Sequence, residues 1–280
     1  MNIFSGKMAL ITGGSSGIGL AVAKQLASRK CNVWILARRD NRLQSAKKEI
    51  EKCRASSSVK VGILSTDVSH PKSIIPVLEK FTKTNGIPDI LVNSAGISYP
   101  GEFISQNLGI FRSMMNTNYL GTVYPSKIIA SGMVERRSGI IVNISSIAGF
   151  IGAYGYAAYG GSKYAVRGFS DIIRAELKPY GIQVCVVFPP DTDTPQFAFE
   201  NKHKPEITRI IDGNVGLLSA DQVAAEILKG IERKKYIIIP GMRGKILYLM
   251  NNLLGRLVYP IMDLIISQAR NTLSKKSEPH

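Results

Sequence analysis

Cysteine is scarce in this chain of 280 residues: Cys31, Cys53 and Cys185 are all there is, and none forms a CxxC pair. So sparse and odd a set excludes a disulfide scaffold and points to a reducing compartment. Acidic residues are also few, 20 against 36 Lys and Arg, which leaves a formal net charge of +16. That imbalance favours acidic partners, whether nucleic acid, anionic lipid or a phosphorylated ligand. Long Lys/Arg runs with interleaved aromatics are absent, and so is zinc-finger spacing. Nucleic-acid binding is therefore disfavoured, and no metal is required. No uninterrupted apolar run reaches the ~18 residues expected of a membrane-spanning helix. Met1 to Lys7 runs almost straight into an apolar strand, leaving no room for a signal peptide. Internal repeats, low-complexity segments and linkers are missing too, so one domain is expected.

What is present is alternation. Short apolar runs at Met8–Ile11, Val33–Leu36, Val59–Leu64, Ile90–Val92, Ile140–Ile144, Gln183–Phe188 and Tyr236–Ile239 are separated by stretches with helical spacing. Strands this short and apolar on both faces imply a parallel sheet covered on both sides. Right-handed crossovers then give an α/β, doubly wound parallel sheet of Rossmann type. Ligands of such sheets bind beyond the carboxyl ends of the strands.

After the first strand comes Thr12-Gly13-Gly14-Ser15-Ser16-Gly17-Ile18-Gly19. Glycines at 13, 17 and 19 permit a tight turn, close approach of backbone to a pyrophosphate and close helix-on-strand packing. The helix that follows offers free N–H groups and a positive dipole end to phosphates. The spacing is G-x-x-x-G-x-G and resembles that of the short-chain dehydrogenase/reductase family. The resemblance implies cofactor contacts from Gly13, Ser15, Ser16, Gly17, Ile18 and Gly19. At the end of the second strand, Ala37 stands where the family's NAD-users place Asp, and Arg38 and Arg39 follow. A guanidinium pairs well with a 2′-phosphate, so NADPH is the expected cofactor, with Arg38 the better candidate. Asp67-Val68 matches the family pair that contacts adenine. Asn93-Ser94-Ala95-Gly96 matches its Asn-Asn-Ala-Gly segment, with Ser94 a departure, and implies that Asn93, Ala95 and Gly96 support the sheet and the cofactor.

The decisive set is Ser146, Tyr159 and Lys163. Tyr159 and Lys163 are spaced i and i+4, on one face of a helix. An ammonium one turn from a phenol lowers the tyrosine pKa from ~10 toward working pH, and so makes Tyr159 a general acid for ketone reduction. Lys163 would also hold the nicotinamide ribose. Ser146 ends the fifth strand thirteen positions before Tyr159, the usual family separation, and would steady the developing alkoxide. Asn118 matches the family's fourth member, which implies that it holds a water relaying protons to Lys163. After the sixth strand, Pro189-Pro190-Asp191-Thr192-Asp193-Thr194-Pro195 carries Pro190 in place of the family's glycine. Pro189, Thr192 and Thr194 remain available to the cofactor. The family resemblance covers roughly residues 5 to 240.

This 190–201 segment, with Phe197 and Glu200-Asn201, is similar to that of 3-ketodihydrosphingosine reductases, as is Lys178-Pro179-Tyr180. Gln196 sits where a glycine is expected, and the N-terminal hydrophobic anchor of the eukaryotic members is missing. The resemblance implies NADPH-dependent reduction of 3-ketodihydrosphingosine to dihydrosphingosine. The same chemistry on a steroid, a retinoid or a 3-ketoacyl thioester is the alternative, and a non-catalytic NADPH-binding scaffold the second. The catalytic unit is expected over 1–240, with a substrate loop at about 190–218. Residues 241–280 form an amphipathic extension. Its apolar positions are Ile246, Met250, Leu253, Leu257, Ile261 and Ile265, and a bend is expected at Pro260. Residues 233–280 hold nine Lys/Arg against Asp263 and Glu278. A basic amphipathic segment can lie in a membrane interface without spanning it; covering the pocket or a partner subunit is the other use. The expected setting is cytoplasmic and peripherally membrane-associated, on the cytosolic face of the endoplasmic reticulum in a eukaryote. The family resemblance implies a homodimer or homotetramer.

Overall fold

A computed structural model describes residues 2–212 and 217–277, the last three without side chains. In chain order the elements begin β1 (Met8–Thr12), α1 (Gly17–Ala27), β2 (Asn32–Ala37), α2 (Asp40–Cys53), β3 (Val61–Ser65), α3 (Pro71–Asn85) and β4 (Ile90–Asn93). Then come α4 (Leu108–Met114), a π-helical turn (Met115–Leu120), α5 (Gly121–Glu135), β5 (Gly139–Ile144), α6 (Ala157–Leu177) and β6 (Ile182–Val187). The chain continues through β7 (Thr192–Asp193), α7 (Pro195–His203), α8 (Glu206–Asp212), β8 (Leu218–Ser219), α9 (Ala220–Glu232) and β9 (Ile237–Ile238). It closes with α10 (Met242–Leu254) and α11 (Val258–Ser277).

Seven strands form one parallel sheet in the order β3-β2-β1-β4-β5-β6-β9, while β7 and β8 pair separately. Each of the seven apolar runs read from the sequence is a strand of the large sheet. Side chains alternate across it as a period of two requires. Ala9 and Ile11 pack with Val22 and Leu26 of α1, Leu43 of α2 and Ile227 of α9. Leu10, between them, joins Ile74 and Leu78 of α3 and Ile129 of α5 on the opposite face. Both faces are dry, which is why the strands read as continuous hydrophobic runs.

Helix α6 is tied to the sheet by polar groups. Asn143 of β5 donates to Ser170 Oγ of α6 at 2.9 Å and accepts from Asn93 Nδ2 of β4 at 2.8 Å. Asn93 also donates to Ser126 Oγ of α5 at 2.9 Å. Ser145 Oγ donates to the Lys163 carbonyl at 2.9 Å.

The C-terminal extension is helical, with its break at Gly255 and not at Pro260. Gly255 has φ 51° and ψ −119°, a conformation open to glycine alone. Pro260 is the third residue of α11, in a first turn whose N–H groups have no intrahelical partner, so it costs the helix little. Met242–Ser274, 33 residues, is long and apolar enough by length and composition to cross a membrane. Counting uninterrupted apolar residues did not find it, because Arg256 and Asp263 divide it. One face packs on the body: Tyr248 meets the rings of Phe150 at 5.0 Å and Phe188 at 6.1 Å, and Ala269 is buried. The expected apolar stripe faces outward, with Leu253 76% and Leu257 62% exposed. Of the expected substrate loop, residues 213–216 lie outside the described residues.

Candidate active site

The carboxyl ends of β1, β2, β3, β4, β5 and β6 open into a cleft of about 430 Å³. That is a size suited to a cofactor or small-molecule site. Its cofactor side begins at the β1–α1 turn. Gly13 has φ +68°, and a Cβ there would lie 2.7 Å from the backbone of Ala95, so only glycine fits. Ser16 caps α1 without a side-chain bond, and no acid occupies the first turn. The positive end of the helix is therefore open to the cleft, as an anion requires. Thr12, fully buried, accepts from the N–H groups of Ser94 and Ala95 at 3.2 Å each and locks the ends of β1 and β4 together.

Arg38 and Arg39 stand exposed at the end of β2, on the cleft wall. Arg38 Nη1 lies 3.7 Å from Asp67 Oδ2. Asp67 also accepts from the Ser69 N–H at 2.9 Å and the Ser69 hydroxyl at 2.7 Å. Burial works to raise its pKa, yet these bonds and the Arg38 charge hold the carboxyl below its ordinary value. The glycine cradle, open helix end and paired guanidinium fit a dinucleotide with an additional phosphate.

The chemical side is built by β5 and α6. Ser146 follows β5, and its Oγ accepts from the Ala148 N–H at 3.2 Å. Tyr159 and Lys163 occupy successive turns of α6, both buried. Ser146 and Gln196 neighbour the Tyr159 hydroxyl, and both act to lower its pKa. Lys163 Nζ sits 5.5 Å from the Tyr159 ring centroid and donates to the Ile144 carbonyl at 3.0 Å. Burial lowers the Lys163 pKa to about 8. Tyr159 departs from expectation: burial, then the charge of Glu200, push its pKa up, and Ser146 and Gln196 offset them only in part. Lys163 does not bring it down, so the phenol keeps its proton.

Asn118 is buried in the π-helical turn. Its Oδ1 accepts from the Ile97 N–H at 2.8 Å, and its Nδ2 donates to the Ile97 carbonyl at 3.0 Å and Ser162 Oγ at 2.8 Å. The side chain thus clamps the strand-end loop to α6. Asn93 stands behind the cleft wall in the polar network, and Gly19 packs under Gly13. Ser15, Ser16, Gly17, Ile18, Val68, Ala95, Gly96, Pro189, Thr192 and Thr194 all line the cleft. Thr192 donates to the Pro190 carbonyl at 2.8 Å, and Thr194 caps α7 by accepting from the Phe197 N–H at 3.2 Å.

Among the lining residues given no role from the sequence are Tyr156, Gln196, Glu200 and Asp212. Tyr156 Oη donates to Glu200 Oε2 at 3.0 Å, and Gln196 Nε2 to Glu200 Oε1 at 2.9 Å. Close by, the buried Lys204 ammonium lies 2.7 Å from Asp212 and 3.5 Å from Asp191. The one clue in sequence was an acid and an amide at i and i+4 just past a proline-bounded loop.

Residues 7–205 match the family model described as short chain dehydrogenase. The chain is 42% identical over 225 residues to the 3-ketodihydrosphingosine reductase of Bos taurus, covering 80% of this chain and 68% of that one. It is 33% identical over 276 residues to the 3-ketodihydrosphingosine reductase of Dictyostelium discoideum, covering 94% and 83%. Among solved structures it resembles a short-chain dehydrogenase from Sphingobium yanoikuyae in complex with NADPH. There the TM-score is 0.75 and the identity 26%, covering 90% of this chain and 95% of that one.

Proposed function

The chain belongs to the short-chain dehydrogenase family, and on that premise we propose that it reduces 3-ketodihydrosphingosine to dihydrosphingosine with NADPH. The observation that carries the reading is Tyr159, buried on α6 with the Lys163 ammonium beside its ring, lining together with Ser146 the cleft that the open end of α1 also faces. Two relatives that share most of the chain bear the name of that reductase, which supports the choice of ketone.

NADPH, when bound, supplies a hydride to the ketone carbon. The glycine turn from Gly13 to Gly19 and the end of α1 would hold its pyrophosphate, and Arg38 its 2′-phosphate. Asp67 and Val68 would contact the adenine, and Thr192 and Thr194 the nicotinamide. Ser146 donates a hydrogen bond to the carbonyl oxygen and stabilises the charge that develops there. Tyr159 gives that oxygen its proton. Lys163, held by the Ile144 carbonyl, offers its positive charge to the tyrosinate that remains. Asn118 keeps the loop at Ile97 against α6, so that the acid and the loop share one geometry. Residues 1–240 form the catalytic unit. The extension over 241–280 presents its apolar stripe to a membrane interface from the cytoplasmic side, docked on the body by Tyr248 and Ala269 rather than crossing the bilayer. A second copy of the chain packs on the helices that bear Asn118 and Tyr159.

The test is NADPH oxidation by purified protein in liposomes, with 3-ketodihydrosphingosine, a steroid ketone, a retinal and a 3-ketoacyl thioester. Preference for the sphingoid ketone is expected. Turnover of another carbonyl alone would discard the substrate and keep the chemistry. In parallel, Tyr159→Phe should still bind NADPH and lose turnover by roughly 10²–10⁴-fold. Turnover near that of the unaltered chain would remove Tyr159 from its role.

A further inference from the structure

We propose that Glu200 recognises the substrate's amine, its carboxylate binding the protonated primary amine on the carbon next to the ketone. The inference rests on the reading of the substrate as a long-chain amino ketone and adds the residue that would select it.

A carboxylate is seldom buried without a cation. Glu200 is 7% exposed, yet it makes no ion pair among the described residues. Lys204, four residues on, is engaged by Asp191 and Asp212, and Lys163 donates to the Ile144 carbonyl. Glu200 has only neutral donors, the hydroxyl of Tyr156 and the amide of Gln196, one on each oxygen. An ionised carboxylate offers about four acceptor sites, so acceptor capacity remains. Ser98, 3% exposed, sets its hydroxyl beside the same carboxylate without a well-formed hydrogen bond of its own. The carboxylate is thus held in place by its neighbours in the wall of the cleft with no cation in direct contact, the Lys163 and Lys204 ammoniums acting on it only from beyond ion-pair distance.

Its position relative to the reacting atoms is the second half of the case. The Gln196 amide is bonded to Glu200 and neighbours the Tyr159 hydroxyl, all three lining the same cleft. The carboxylate is therefore one bridging side chain from the proton donor. In an α-amino ketone the nitrogen is one carbon removed from the carbonyl, so with the ketone oxygen at Tyr159 one of the two orientations of the chain sets its amine on this side of the cleft. Charge argues the same way. A bare negative group near a developing alkoxide opposes reduction, since it repels the charge the site must stabilise. An ammonium between them cancels that repulsion, and a ketone without the amine leaves it in force. The bridging amide belongs to Gln196, the residue that replaces the expected glycine.

The experiment compares kcat/KM for 3-ketodihydrosphingosine with that for the same chain lacking the amine, in liposomes with NADPH, for the unaltered protein, E200Q and E200D. Comparing the two ketones on one variant cancels any general effect of Glu200 on Tyr159. The unaltered protein should favour the amino ketone. In E200Q that preference should shrink roughly tenfold to hundredfold, mostly through KM, the size expected for a hydrogen bond to a charged group. E200D should retain part of it, and NADPH titration checks that each variant is folded. If E200Q slows both ketones by the same factor, Glu200 is structural and the inference fails while the substrate reading stands. If the unaltered protein shows no preference for the amine, the substrate reading fails and takes the inference with it. Should E200Q fail to bind NADPH, E200D decides: selective loss on the amino ketone supports the proposal, and equal loss overturns it.

Discussion

Tyr159 keeps its proton because it is buried beside a carboxylate, and the chemistry of reduction asks for that state. The neighbouring Lys163 is the group that titrates near neutrality, with its pKa lowered by burial to about 8. The sign follows: below about 8 the ammonium is present to support a tyrosinate, and above it the charge is lost. Reductive kcat/KM is therefore expected to fall as pH rises through about 8, and Lys163→Arg should move that limb to higher pH. A profile flat from 7 to 9 would contradict this. Arg38 lies at the other end of the cleft and is expected to read the 2′-phosphate. Arg38→Ala should raise the KM for NADPH roughly tenfold to hundredfold while that for NADH changes little. The Tyr159–Lys163 spacing, Ser146 and the strand-end arginine were legible in the sequence because each is a residue type at a fixed offset from an element end. Glu200 was legible only as part of the 190–201 resemblance, because its burial and its want of a direct ion pair are not written in sequence. The direction of the Tyr159 shift was misjudged for the same reason: helical spacing shows Lys163 but not the desolvation or the acid across the cleft.

Helix α6 carries both the acid and the ammonium, and its seat on the sheet is polar as much as apolar. The Asn93–Asn143–Ser170 chain crosses from β4 through β5 to the helix, four residues beyond Val166 on the face that bears Lys163. Asn143→Leu would take one hydrogen bond from each of two buried partners, Asn93 and Ser170, which keep their bonds to Ser126 and the Val166 carbonyl, at about 0.5–1.5 kcal/mol for each bond lost. Urea unfolding should report a loss of that order. A variant as stable as the unaltered protein would show that the network is dispensable. Strand positions were readable from apolar runs bounded by turns, since burial on both faces leaves that signature. The π-helical turn that holds Asn118 was not readable. It lies inside a continuous helical pattern, and one added residue per turn does not disturb hydropathy. The break at Gly255 was likewise displaced onto Pro260, because a proline looks like a bend unless its place in the first turn of α11 is known.

At the scale of the molecule, one sheet sets the cofactor and chemical ends side by side, and the C-terminal helices add a wall. Leu247 reaches the cleft, Tyr248 packs on Phe150 and Phe188, and the outer face presents Leu253 and Leu257 to solvent. If that face meets lipid, replacing both leucines with glutamate should lower binding to anionic liposomes at least roughly tenfold. Unchanged co-sedimentation would assign the face to another subunit instead. The same helix that faces outward with one side closes the cleft with the other, and this joint duty changes what concentration means to the enzyme. On the proposed membrane reading, a substrate arriving along α10 would not pass through bulk water, and its encounter rate would be set by its mole fraction in the surface. Adding inert lipid at a fixed total amount of ketone would then slow the reaction by surface dilution. On the same reading the product, released toward the same wall, would re-enter the layer from which the substrate came.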